Sequence, residues 1–379
     1  MKVLVAIDSL KGSLSSMEAG TAISEGIYCA DPNAEVIISP LADGGEGTVE
    51  ALVAGMGGSI QNVIVTGPLG EVVNSSYGII EKDKTAIIEM AAAAGIMLLP
   101  ETNRNPLETT TYGVGEIILD AIKKGCRKFI IGIGGSATND GGVGMLQALG
   151  YGFLDSTGKQ IPYGAKGLKV LTSIKSDQVI PELCECKFMI ACDVTNPLCG
   201  INGASAVYGP QKGATPEMVE EMDRWLANYA ELAKTERTNA DANVPGTGAA
   251  GGLGYAFHTF TNAVLKPGIN IVLEETGLED KIKNVDYVVT GEGRLDFQTA
   301  MGKAPIGVAK LAKKYNKHVI AFAGSVTEDA IECNTHGIDA FFPILRTVGT
   351  LADAMNTEQA KRNMKDTAEQ VFRLIRTIS

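Results

Sequence analysis

The chain begins with an unbroken apolar run, Val3-Leu4-Val5-Ala6-Ile7, that ends abruptly in an acid, Asp8. A run with no polar alternation needs burial on both faces, which is the situation of a strand inside a parallel sheet. The next thirty residues fit that reading. Ser15-Ser16-Met17-Glu18 has the form of a helix capping box, and Ala19, Ile23 and Ile27 continue at helical spacing. Asp31-Pro32-Asn33 breaks the helix, and Val36-Ile37-Ile38 starts a second strand. Asp8 and Asp43 therefore fall just past the carboxyl ends of strands, where open α/β sheets place their ligands.

The C-terminal third repeats this grammar. Tyr287-Val288-Val289, Val319-Ile320-Ala321-Phe322 and Ala340-Phe341-Phe342 read as short buried strands separated by helical stretches such as Gly307 to Tyr315. The middle differs. Gly67-Pro68-Leu69-Gly70 and Glu81-Lys82-Asp83-Lys84 flank strand-like runs and predict hairpin turns with antiparallel pairing. Phe129 to Ile133 and Phe188 to Ala191 add strands, Thr215-Pro216-Glu217 opens a long helix, and Arg237 to Gly248 predicts a surface loop. The most economical architecture is α/β and discontinuous. Residues 1–67 and 285–379 complete one doubly wound parallel sheet, and a mixed α/β domain, residues 68–284, is inserted between them. Ligands are expected in the cleft where the glycine loops of the two domains face each other.

With 379 residues the chain is long enough for two cores. A net charge of -11 lacks the electrostatic footprint of a nucleic-acid binder. The basic residues near the C-terminus, Lys361, Arg362, Lys365, Arg373 and Arg376, alternate with acids and read as the solvated face of a terminal helix. The longest apolar stretch, Met90 to Leu99, is too short to cross a bilayer, and the short run after Lys2 is no secretory leader. Irregularly spaced cysteines without a CxxC pair, and three scattered histidines, predict reduced thiols in a cytoplasmic protein and argue against a zinc site or a His-based triad.

The chemistry concentrates in glycine-rich segments. Gly291-Glu292-Gly293-Arg294-Leu295-Asp296-Phe297-Gln298-Thr299, followed by Gly302-Lys303-Ala304-Pro305, interleaves glycines, acids and cations directly after an apolar run. Leu41-Ala42-Asp43-Gly44-Gly45-Glu46-Gly47-Thr48 and Gly132-Ile133-Gly134-Gly135-Ser136-Ala137-Thr138-Asn139-Asp140-Gly141-Gly142 repeat the theme. Glycine lets the backbone approach a ligand, carboxylates hold divalent ions or protons, and Lys and Arg neutralise phosphate oxygens. Together the three point to a nucleotide- or phosphate-handling enzyme.

A Walker A loop is absent. Gly132-x-Gly134-x-x-Ala137 matches the dinucleotide fingerprint, with Asp155 at a tolerable distance for a ribose contact, yet Asn139-Asp140-Gly141-Gly142 is unlike a Rossmann turn. Backbone amides at this turn, before a helix over 141–149, suit phosphate binding; the alternative is glycine serving turn geometry alone. Asp193 in Asp193-Val194-Thr195-Asn196-Pro197 is either a strand-end carboxylate or an Asx turn. Lys212 in Gly209-Pro210-Gln211-Lys212-Gly213-Ala214 is either a phosphate contact or part of a surface turn.

These segments, in order from Asp8-Ser9-Leu10-Lys11-Gly12-Ser13 to Gly302-Lys303-Ala304-Pro305, resemble the class I bacterial glycerate kinases over essentially the whole chain. The resemblance implies ATP-dependent, Mg²⁺-assisted phosphorylation of D-glycerate, usually at the 2-hydroxyl. It also implies a flavodoxin-like domain and an inserted domain with a restriction-enzyme-like core. Asp193, Lys303 and Asp8 are expected to carry catalysis; Lys11, Arg294, Asp296 and Gln298 to bind the acid; Gly134, Gly135, Ser136, Thr138, Gly141, Gly142 and Lys212 to hold ATP; and Asp140 and Glu292 to hold the metal. The alternatives are transfer to the 3-hydroxyl, a nicotinamide-dependent oxidoreductase, and a non-catalytic binding protein for a small acid.

Overall fold

A computed structural model describes residues 1–42, 44–45 and 47–378, so Asp43 and Glu46 of the second glycine segment lie outside the described residues. The chain divides into two compact units. The first comprises Met1–Asp43, Glu50–Gly57 and Ile269–Ser379; the second comprises Gly44–Val49 and Gly58–Gly268. In chain order the strands are β1 (Lys2–Val5), β2 (Glu35–Ile38), β3 (Ser59–Thr66), β4 (Val72–Ile80) and β5 (Thr85–Glu89). Next come β6 (Lys128–Gly132), β7 (Gly152–Leu154), β8 (Ser173–Lys175), β9 (Lys187–Ala191) and β10 (Ala263–Lys266). The last three are β11 (Tyr287–Leu295), β12 (His318–Val326) and β13 (Ala340–Pro343).

The first unit is built on a fully parallel sheet in the order β13-β12-β11-β1-β2. Val3, Leu4 and Val5 are fully buried, as an apolar run without alternation requires. The capping box forms as expected. The Ser15 hydroxyl accepts from the Glu18 amide at 3.2 Å, and the Glu18 carboxylate accepts from the Ser15 amide at 2.9 Å. The helix it starts, Ser16–Ala30, packs on the terminal helix Thr357–Ile378, whose buried Ala360, Met364, Ala368 and Phe372 recur every fourth residue. The terminal basic run is more than a solvated face. Lys361 pairs with Glu18 at 3.0 Å and Lys365 with Glu25 at 3.4 Å, lacing the two helices together along their exposed edge. Exposed pairs of this kind contribute about 0–1 kcal/mol, so the apolar seam beneath them carries the packing.

The segment that opens the last glycine motif is strand rather than loop. β11 continues past Val289 to Leu295, with Gly291 opposite Phe322 and Arg294 opposite Ser325 of β12. Glycine makes this possible, since a Cβ on Gly291 would lie 1.8 Å from the Phe322 carbonyl oxygen.

The second unit holds a mixed sheet in the order β10-β9-β6-β5-β4-β3, plus the small pair β7-β8. Both expected hairpins are present: β3 and β4 pair antiparallel out to Thr66 opposite Val72, and β4 and β5 do the same around Glu81 to Lys84. Thr215 caps the long helix Pro216–Glu236. Arg237 to Gly248 is loop, but Gly246, Thr247 and Gly248 are buried, with the Thr247 hydroxyl donating to the Ala242 and Val244 carbonyls. The boundaries at 67 and 284 move. β3 is hydrogen-bonded to β4 and so joins the second unit, whereas the helix Leu278–Lys283 packs on Ala304–Lys313 and belongs to the first. No helix among the described residues is long and apolar enough to cross a membrane.

The seam between Ser16–Ala30 and Thr357–Ile378 yields a stability prediction. A methyl on Gly26 would lie 2.3 Å from the Lys365 carbonyl oxygen and 2.9 Å from the Ala368 Cβ. In an open helix, Gly→Ala stabilises by about 1 kcal/mol; here overpacking against backbone costs about 1–3 kcal/mol and wins. Gly26→Ala should therefore lower the urea midpoint without changing the slope. An unchanged or raised midpoint would show that the seam has room for the methyl.

Candidate active site

Register assembles the exposed edge of the second unit's sheet. Gly132 at the end of β6 lies opposite Ala191 of β9, and Ala191 lies opposite Lys266 of β10. All three strands are parallel, so the segments after Gly132, Ala191 and Lys266 leave the sheet side by side. Asp193 is exposed two residues beyond β9, and its Oδ1 accepts from the Gly268 amide at 2.9 Å. Lys266 was not singled out from the sequence. The signal was there, since Ala263-Val264-Leu265 followed by Lys266-Pro267-Gly268 is the same strand-then-turn pattern that marked Asp8.

Gly134 and Gly135 are exposed, and among the described residues neither amide donates to a protein acceptor. The Gly135 carbonyl is held by the Ile96 amide at 2.8 Å, and the next residue bridges to Gly95. Two successive free amides on a pinned turn form a concavity suited to an anion.

The rest of the glycine segment turns inward, which corrects several expectations. Thr138 is fully buried. The Gly141 amide donates to the Gly251 carbonyl at 2.9 Å, and the Gly142 amide donates to Asp140 Oδ1 at 3.0 Å, so neither is available to a phosphate. A Cβ on Gly142 would lie 2.4 Å from the Ala256 Cβ, so glycine here meets the demands of turn and packing. Asp140 is 1 % exposed and already has four donors: the Thr111 amide and hydroxyl, and the Gly142 and Gly144 amides, at 2.8 to 3.2 Å. Burial raises its carboxyl above the ordinary value, offset in part by those donors. Asp140 therefore anchors the turn that starts the helix Val143–Ala148 and has no free oxygen edge for a metal. Asp155 likewise closes its own turn, accepting from the Thr157 amide and hydroxyl and the Lys159 amide, which removes the ribose partner that an oxidoreductase would need.

Lys212 is only 2 % exposed. Its Nζ donates to the Ser136 hydroxyl at 2.8 Å and the Thr138 carbonyl at 2.7 Å, directly beneath the exposed glycine pair. Burial pulls this amine down to about 7, while the charge of Asp140 holds it up.

In the first unit the corresponding residues lie at the ends of β1 and β11. Asp8 is buried, its amide bonded to the Gly291 carbonyl at 2.9 Å and its Oδ1 accepting from the Ser9 amide at 2.7 Å. Glu292 accepts from the Thr299 hydroxyl at 2.5 Å, and its second oxygen is 3.9 Å from Lys303 Nζ. Lys303 precedes the helix Ala304–Lys313 and is partly exposed. Lys11 is exposed above Gly293. Asp296 caps Phe297–Ala300 through Thr299 and pairs with Arg294 at 3.5 Å, so its carboxylate is largely committed, whereas Arg294 and Gln298 face solvent. Among the described residues no group of three His, Cys, Asp or Glu side chains could hold a metal ion unaided. Mg²⁺ carried on a nucleotide needs only one or two carboxylates, and Glu292 is partly exposed where Asp140 is not.

Comparison with known proteins identifies the family. The model of the glycerate kinase family matches residues 3–376. The chain is 50% identical over 372 residues to a glycerate 2-kinase of Escherichia coli (strain K12), covering 97% of this chain and 98% of the relative. It is 49% identical to a glycerate kinase of Haemophilus influenzae, covering 99% of both. A crystal structure of a Salmonella typhimurium LT2 protein, provisionally described as glycerate kinase 2, superposes with a TM-score of 0.92 at 48% identity, covering 100% of this chain and 98% of that one. This chain belongs to the glycerate kinase family.

Proposed function

We propose that the protein transfers the γ-phosphoryl group of ATP to the 2-hydroxyl of D-glycerate. The observation that carries this reading is the pairing of an exposed amide cradle, Gly134-Gly135, with an exposed strand-end carboxylate, Asp193, on adjacent parallel strands. Phosphoryl transfer asks for positioning and charge neutralisation rather than covalent catalysis, and that is what such an edge supplies. The family and its named 2-kinase relative support the acceptor and its position. A cytoplasmic location fits this chemistry. The first unit's strand order, counted along its own strands as 2-1-3-4-5, supports a flavodoxin-like reading, and the mixed sheet of the second is read as the restriction-enzyme-like core.

In this reading the Gly134 and Gly135 amides and the Ser136 hydroxyl hold phosphate oxygens. Lys212 acts from beneath as a positioning residue, fixing Ser136 and adding positive potential. Asp193 orients the acceptor hydroxyl and takes its proton late in transfer. In the first unit, Lys303, Lys11 and Arg294 are the cations suited to phosphate or carboxylate oxygens, and Asp8 holds the β1–β11 edge in register. Bound Mg²⁺ would neutralise phosphate oxygens, and Glu292 is a carboxylate that could help hold it.

Wild-type protein should form ADP only when glycerate is present. Asp193→Asn should lower kcat by about 10²–10⁴-fold, while melting as wild type, because an Asn oxygen still accepts from Gly268. Near-normal turnover of that variant would reduce Asp193 to an Asx turn.

A further expected outcome concerns pH. The Lys212 amine is charged below about 7 and neutral above it, so its attraction for phosphate fades as pH rises through that value. The kcat/KM for ATP should fall over this range in wild type, and Lys212→Met should be slower and lack that limb. Parallel pH profiles for the two proteins would remove Lys212 from the account. Stability responds to the same amine. Its folded value lies below its unfolded one, so the cost of burying the charge is felt fully below about 7 and is relieved as pH rises towards the ordinary lysine range.

A further inference from the structure

In the second unit a short helix, Ala204–Tyr208, continues through Gly209 into a 3₁₀ turn, Pro210–Lys212. Ser205, Tyr208 and Lys212 stand three and four residues apart, so they share one face of this segment. Each bonds to a different place on the sheet edge. The Ser205 hydroxyl accepts from Asn139 Nδ2 at 2.8 Å, and both residues are fully buried. Lys212 Nζ donates to the Ser136 hydroxyl and the Thr138 carbonyl. The Tyr208 hydroxyl donates to Asn196 Oδ1 at 2.7 Å. The first two bonds reach the turn that carries the amide cradle; the third reaches the loop that carries Asp193.

Asn196 is the far post of that loop. Asp193, Val194 and Thr195 are exposed, so packing does not fix them. Hydrogen bonds at the two ends do. On the near side the Cys192 amide donates to the Lys266 carbonyl at 2.9 Å, and Asp193 Oδ1 accepts from the Gly268 amide. On the far side the Asn196 carbonyl accepts from the Gly248 amide at 2.9 Å, and Asn196 Nδ2 donates to the Asn202 carbonyl at 2.8 Å. Its Oδ1, held by Tyr208, ties the loop to the helix face that also holds the cradle.

Phosphoryl transfer depends on positioning, and a misplacement of about 1 Å can cost about a hundredfold in rate. Resting on the kinase reading, we infer that Tyr208 is a positioning residue: through Asn196 it holds Asp193 at its working distance from the Gly134–Gly135 cradle. Its hydroxyl is committed to Asn196, so it acts through that side chain and not on a substrate.

The test is a double-mutant cycle on kcat with wild type, Tyr208→Phe, Asp193→Asn and the double variant. Tyr208→Phe keeps the ring and removes only the hydroxyl. It should lower kcat about tenfold while leaving KM for ATP within about twofold. In the Asp193→Asn background the same change should alter kcat by less than about twofold, because the group it positions is already lost. Thermal melting checks folding; should Tyr208→Phe unfold, Asn196→Ala breaks the same bond from the other side and takes its place in the cycle. An unchanged kcat in the folded variant, or an equal fold-loss in both backgrounds, would overturn this inference and leave the kinase reading intact. Should wild type form no ADP in response to glycerate, the kinase reading itself fails. The loop-holding role is then read by amide hydrogen exchange at Leu198 and Gly248, whose amides bond to the Ala242 and Asn196 carbonyls. Faster exchange there in Tyr208→Phe upholds that role, and unchanged exchange overturns it.

Discussion

The parallel register of neighbouring strands is the constraint on which the rest depends. Parallel strands begin at one edge of a sheet and end at the other, so residues far apart in sequence leave the sheet together if their strands are aligned. In the second unit this brings the segments after Gly132, Ala191 and Lys266 to one edge. In the first unit, Val5 opposite Val289 places Asp8 beside Gly291. A slip of one residue would turn each of these side chains to the other face, and the buried apolar runs on β1, β6 and β9 are what oppose such a slip.

A second constraint is the cost of burying polar groups. The turn at 136–142 is enclosed, so its polar atoms need internal partners. Asp140 takes four donors and Lys212 bonds to Ser136 and Thr138, so the pair supports the turn from within. That support lets the two preceding glycines present their amides outward without collapsing. An acid and a cation in a glycine-rich segment thus do different work according to depth. Asp193 at the exposed edge can meet a ligand, whereas Asp140 at the bottom of the turn is structural.

Much of the architecture was legible because it follows from local rules. Apolar runs without alternation became buried parallel strands, the Ser15 and Thr215 caps started helices, and Gly67 to Gly70 closed a hairpin. What local rules missed were non-local facts. β3 belongs with the second sheet because β4 pairs with it, which no composition break at residue 67 reveals. The extension of β11 through Gly291 and Gly293 reads as loop until β12 is seen to pair with it. In the site, residue type was legible but depth was not. Asp140 and Asp193 look alike in sequence, and only packing separates them. Lys266 escaped notice because its strand is short.

The most direct measurement of the central claim is the identity of the product. Protein, ATP, Mg²⁺ and D-glycerate would be followed by ³¹P NMR with proton coupling retained. The account predicts a phosphomonoester whose phosphorus couples to the single proton on carbon 2, that is, 2-phosphoglycerate, accumulating together with ADP. Coupling to the two protons on carbon 3, or loss of ATP with only inorganic phosphate appearing, would contradict it.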